Sequence, residues 1–186
     1  MERVVIPLVT DADELARAAD AKTAELFEDF SCTHCADLHI ASDEAMIEKL
    51  KAGEINVDLR PMTALDKGEE GHSTKALAAE LALFAHGDLA QAFTIRDYLF
   101  QNQQTVYNKY DNDGFADMAK DYEASDAAIQ DIRDGKYIDT AKRMGDGLVA
   151  RLGFECAQQE VLGLREPGVL RVEFRRRDRG AGAGEC

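Results

Sequence analysis

Thr23-Ala24-Glu25-Leu26-Phe27-Glu28-Asp29-Phe30-Ser31-Cys32-Thr33-His34-Cys35 is the stretch that decides the fold of this 186-residue chain. It opens as an aromatic-rich, imperfectly alternating run that reads as a β-strand, and it ends in a Cys-x-x-Cys pair. Thr33 to Lys51 then reads as a helix. Leu38, Ala41, Ala45 and Met46 or Ile47 form its expected buried stripe, and Gly53 stops it. Ile55 to Arg60 alternates, apolar at 55, 57 and 59, and Pro61 ends that run. Strand, helix and strand in this order predict a crossover unit with parallel strands.

The cysteines therefore fall where a strand hands over to a helix. Cys32 is expected at the N-cap, beside free backbone N–H groups and the positive end of the helix dipole, both of which favour a thiolate. Cys-x-x-Cys thiols in such places titrate at ~3.5–7.5 instead of ~8.5. Cys35 lies one turn behind, close enough to close a disulfide. Exchange chemistry needs these two roles: an exposed Cys32 to meet the substrate sulfur and a shielded Cys35 to resolve the mixed disulfide. His34, between them, can donate to or place positive charge beside the Cys32 thiolate. That stabilises the reduced form and makes the disulfide a better oxidant.

Composition narrows the alternatives. Thirty-six acidic residues against 22 basic give a net charge of −14, which repels phosphate backbones and anionic lipid, so no nucleic-acid partner is expected. No apolar run approaches the ~20 residues of a membrane-spanning helix, and the start at Met1 carries no export signal. Of four cysteines, Cys156 and Cys186 stand far from the pair and from each other. A disulfide-stapled miniprotein and a structural zinc site with a second ligand pair are both excluded. No metal and no cofactor are expected. His39, one turn past Cys35, reads as a helix-surface or half-buried side chain, and His72 and His86 carry no signal.

Elsewhere, Arg3 to Leu8 reads as a short strand and Asp11 to Ala19 as a short helix. From about Ser73 to Gly163 the pattern is almost wholly helical. Leu77, Leu81 and Phe84 recur at helical spacing up to Gly87, and a second helix runs through Phe93, Tyr98 and Leu99. A loop follows at Tyr110 to Gly114, then helices at about Phe115–Tyr122, Ser125–Asp134 and Tyr137–Leu152. A strand returns at Val169 to Phe174. The expected organisation is residues 1–72 as the first part of a sheet domain, 73–163 as a helical insertion, 164–174 as the return to the sheet, and 175–186 as an arginine-rich, disordered tail.

The Phe27-to-Cys35 stretch, with His directly before the second Cys, resembles the DsbA-like branch of the thioredoxin-fold disulfide oxidoreductases. The resemblance covers about Asp20 to Pro167. Val57-Asp58-Leu59-Arg60-Pro61 is similar to that family's next strand and its exit. Ala78-Ala79-Glu80, Tyr98 to Gln103 and Asp134 to Tyr137 are similar to parts of its helical insertion. The resemblance implies an α/β thioredoxin-like fold, a small mixed sheet with a large helical insertion. It also implies a cis-proline loop opposite the cysteines, for which Glu166-Pro167 is the candidate, and a buried acid six residues before the first cysteine. That last position holds Leu26; Glu28, on the same strand face, is the candidate proton relay or else an ion-paired carboxylate. The family's closing hairpin and final helix have no counterpart after Phe174, so the C-terminus reads as incomplete. Self-association through the thinly covered sheet face is then expected.

The function implied is thiol–disulfide exchange between Cys32–Cys35 and protein thiols, with His34 favouring an oxidase and an unidentified redox partner completing the cycle. A non-catalytic interaction module with an inert or structural Cys-x-x-Cys is the second reading. A metal site of Cys32, Cys35 and His39 is the third. An oxidase belongs outside the cytoplasm, in a trimmed or membrane-anchored form, whereas a native bare N-terminus fits the cytoplasm.

Overall fold

The computed structural model describes residues 21–145 and 170–171. The expected strand at the N-terminus, Glu166-Pro167, Cys156, Cys186 and the arginine-rich tail lie outside these residues.

The crossover unit forms as its sequence pattern dictates. β1 (Lys22–Glu28) is followed by α1 (Thr33–Lys51) and β2 (Ile55–Pro61), and the two strands pair in parallel, with Leu26 opposite Leu59 and Glu28 opposite Pro61. Gly53 ends α1 as read, with φ at 68°, a left-handed conformation in which glycine has no Cβ penalty. β3 (Leu170–Arg171) pairs antiparallel to β2, giving the order β1-β2-β3 in a mixed sheet.

β2 is the central strand, and this changes what its alternation means. Val57 and Leu59 are buried as expected, but so are Asp58 between them and Arg60 after them. Arg60 is ion-paired to Glu25 on β1 and stands 3.9 Å from Asp58. The alternation identifies the strand correctly while its polar side is also covered.

The helical run begins one residue earlier than read. α2 (His72–Ala85) is buried from His72 to Leu83 except at Lys75, with Leu77, Ala82 and Leu83 at 0% exposure. A helix this apolar all round belongs inside a core. Asp66, in a 3-10 turn at Ala64–Asp66, accepts from the Ser73 and Thr74 N–H groups and so answers two of its open N-terminal donors. α3 (Leu89–Gln101), the short α4 (Gln103–Val106), α5 (Asn112–Asp121), α6 (Asp126–Arg133) and α7 (residues 138–145) surround α2. The Tyr110–Gly114 loop works partly as a cap, with the Asp111 side chain accepting from Gly114 N–H at 2.9 Å. Ser125 caps α6 the same way through Ala128 N–H.

The stripe of α1 is a correction. Leu38 is 50% exposed, and Ala41 and Ala45 are exposed too. The inward face is instead Cys35, Ala36, His39, Ser42, Asp43 and Met46, because α3 presents a buried arginine to it. Apolar spacing alone selects the wrong face of a helix whose buried side carries charge.

Candidate active site

β1 stops at Glu28, and a tight turn brings Cys32 N–H to Asp29 O at 2.9 Å. Cys32 is the N-cap of α1, in extended conformation at φ −87° and ψ 116°, and no side chain caps the helix there. Its carbonyl accepts from Cys35 and Ala36 N–H, each at 3.1 Å. The pair thus lies at the helix N-terminus as the sequence predicts. Cys32 and Cys35 are each half-buried, so the expected contrast of exposed against shielded sulfur comes from surroundings rather than from area. Cys35 packs on the main core. Burial pushes its thiol up to about 11, helped by the hydrogen bond and charge of Cys32 and opposed by a hydrogen bond from the Asp29 backbone. His34 is exposed in the first turn of α1.

Three elements hold this turn. The buried Asp29 carboxylate accepts from Ser31 N–H at 2.9 Å, from Leu65 N–H at 3.1 Å and from the Ser73 hydroxyl. Ser73 Oγ also lies 2.6 Å from Ser31 Oγ. Gln103 of α4 donates to Phe30 O at 2.8 Å and to Cys32 O at 3.0 Å, pinning the turn from the helical side. Asp29 and Ser73 were not found by sequence reasoning. Two adjacent acids, Glu28 and Asp29, flanked by Phe27 and Phe30 were the available signal.

Beneath Cys35 lies a charged cluster. Glu28 is 4% exposed and accepts bidentately from Arg96, at 2.8 and 2.6 Å. Arg96, on α3, also donates to Asp43 at 2.9 Å and stacks over Phe100 at 5.5 Å. Burial pulls the guanidinium pKa down, but Glu28 and Asp43 more than offset this, so it ends above its usual value. Of the two readings of Glu28, the structure brings the ion-paired one into view, next to the same small cavity that Cys35 lines.

His39 departs from its reading as a surface or half-buried side chain. It is 5% exposed, its Nε2 lies 2.8 Å from Asp97 Oδ1, and its ring stacks on Phe100 with centroids 5.0 Å apart. His72 likewise is buried, between Tyr107 and Phe115, and burial lowers its pKa. Of the three ligands in the metal reading, His39 is committed to Asp97. His39, Asp43 and Asp97 do put ligand atoms within 4.8 Å of one another, but Arg96 and Gln101 already engage the two carboxylates.

A parallel β-α-β unit with Cys-x-x-Cys at the first turn of its helix defines the class, a thioredoxin-fold protein with a redox-type cysteine pair. The comparisons agree. A thioredoxin family model matches residues 17–148. The thiol-disulfide oxidoreductase MdbA from Corynebacterium diphtheriae is 36% identical, with 77% of this chain and 73% of that one covered and a TM-score of 0.70. MdbA from Corynebacterium matruchotii is 35% identical over 73% and 68%, with a TM-score of 0.69. The disulfide bond oxidoreductase DsbG from Mycobacterium tuberculosis, at 21% identity over 70% and 63% and a TM-score of 0.58, shares the fold. A sequence search of curated proteins finds no match. The chain belongs to the thioredoxin family, in its DsbA-like branch of thiol–disulfide oxidoreductases.

Proposed function

We propose that this protein oxidises protein thiols by exchange at Cys32–Cys35. The observation that carries the reading is the asymmetry of the pair at one helix N-terminus. Burial holds Cys35 as a thiol up to about pH 11, so Cys32, at the N-cap, is the sulfur that meets substrate. A substrate thiolate attacks Cys32 Sγ, the Cys32–Cys35 bond breaks, and Cys35 leaves and takes up a proton. A second substrate thiolate then attacks the substrate sulfur of the mixed disulfide, and Cys32 leaves as a thiolate. The substrate leaves with a disulfide and the enzyme holds two thiols, which a partner oxidant must reoxidise. His34, exposed in the first turn, is assigned to stabilising the Cys32 thiolate. Glu166-Pro167 is assigned to the substrate-binding loop by resemblance.

The test is the Cys32–Cys35 equilibrium in graded glutathione buffers, read by alkylation and mass. A midpoint nearer ~−120 mV than ~−270 mV is expected for a disulfide donor working outside the cytoplasm, whereas the low value would make it a reductase. Cys32→Ser must abolish exchange with the fold retained. A pair that never exchanges would overturn the reading and leave an interaction module.

A further inference from the structure

The exchange reading leaves one step without a residue. When Cys35 leaves the disulfide it departs as a thiolate from a site where burial favours the thiol, so a proton must reach it. The strand position six residues before Cys32, where the resembled family keeps a buried acid, is Leu26, and Leu26 itself lines the cavity beside Cys35. Glu28 lines it too, but Arg96 engages both its oxygens.

We propose that His39 is the proton carrier for Cys35, an inference that rests on the exchange reading. His39 follows Cys35 by four residues on α1, which puts the two side chains on one face of the helix. Both line the same cavity, which is about the size of one water. The Nε2 bond to Asp97 at 2.8 Å fixes which ring nitrogen faces which partner. Nδ1 is left buried without a hydrogen bond, 3.3 Å from Asp43 Oδ1. A buried ring nitrogen with no hydrogen bond is a costly arrangement, and this ring shares its cavity with the leaving sulfur's residue.

A substrate thiolate forms a bond to Cys32 Sγ, and the electron pair of the broken Cys32–Cys35 bond goes to Cys35 Sγ. Protonated His39 gives its Nδ1 proton through the cavity to that sulfur and is left neutral, to be reprotonated from solvent. When Cys35 resolves a mixed disulfide, the proton travels the other way. The groups facing this path are Asp43 on α1, Arg96 and Asp97 on α3, Glu28 on β1, and Asp29 and Cys32 at the turn. Asp43 and Asp97 flank the imidazole on its two nitrogen sides.

The experiment follows reduction of the oxidised full chain by glutathione in stopped flow, with rates expressed per thiolate across pH 5 to 9. His39→Gln keeps hydrogen-bonding capacity toward Asp97 but carries no proton, and His39→Phe keeps the stacking on Phe100. Both are expected to lose on the order of 10- to 100-fold in this step, the low end of general acid catalysis, and to show a changed pH profile. Wild type should show a solvent deuterium isotope effect on the step that His39→Gln lacks. His39→Gln reacting at the wild-type rate with an unchanged profile, or a wild-type step with no isotope effect, would overturn the assignment. Wild type that does not exchange at all would instead overturn the exchange reading.

Discussion

Glu80→Gln tests the charged interior under the cysteines most directly. Glu80 sits on α2 at 3% exposure, near the Glu28–Arg96 pair, with Oε1 lacking a hydrogen-bond partner. Burial raises its pKa from 4.5 to about 8; the Glu28 charge adds to the rise and Arg96 opposes it. Between those two values the native chain holds a proton that the unfolded chain has released. Stability is therefore lost as pH rises through that window, with little further change above about 8. At 1.36 kcal/mol per pH unit, the cost of the ionisable side chain is about 1 kcal/mol at pH 5, about 3 at pH 7 and about 5 at its plateau. Glutamine mimics the protonated acid and escapes this cost. Urea unfolding of both proteins at pH 5, 6, 7 and 8 should give a gap that widens steadily in favour of the variant. Curves that run parallel would refute the reasoning. A variant weaker by a constant amount would mean that Glu80 is an ionised partner of Arg96.

Two further substitutions probe the same interior from other sides. Arg96→Met leaves Glu28 and Asp43 without their cation and should cost about 3–5 kcal/mol. Thermal unfolding should register a fall on the order of 10 °C, and the deficit should shrink at low pH as the stranded carboxylates protonate. Unchanged stability would mean that the ion pairs contribute nothing net. Asp29→Asn removes the charge from the acceptor shared by Ser31 N–H, Leu65 N–H and the Ser73 hydroxyl. A loss of about 2 kcal/mol is expected, with a changed iodoacetamide rate at Cys32 as the turn loosens; a variant matching wild type in both would sink the positioning role.

The crossover unit and the location of Cys32 were legible because they depend on local signals: alternation at 55, 57 and 59, a glycine stop at Gly53, and two cysteines at a strand-to-helix junction. Helix order followed for the same reason, and α4 was missed because four residues carry no period. The buried polar groups were not legible. Arg96 and Glu28 are 68 residues apart, and His39 and Asp97 are 58 apart. A charged side chain reads as solvent-facing until its partner is known, so the inward face of α1 was assigned to Leu38 and Ala41, and His39 to a surface or half-buried position.

A carboxylate in the interior costs several kcal/mol unless it is paired, and here Glu28 and Asp43 share a cavity with Cys35, with Arg96 as the cation between them and His39 bound to Asp97. Packing apolar residues there would leave a simpler and more stable core. Burial, Cys32 and Asp29 oppose a negative charge on Cys35, and the cluster keeps a protonatable ring lining the same cavity. The helix N-terminus and the burial of Cys35 then work at opposite ends of one disulfide. The free N–H groups face Cys32, and desolvation acts on Cys35. Opening the bond therefore places the substrate on Cys32 and the new proton on Cys35. A sheet acid at position 26 is dispensable on this argument, because α1 and α3 bring the proton-handling groups to the same sulfur from the other side.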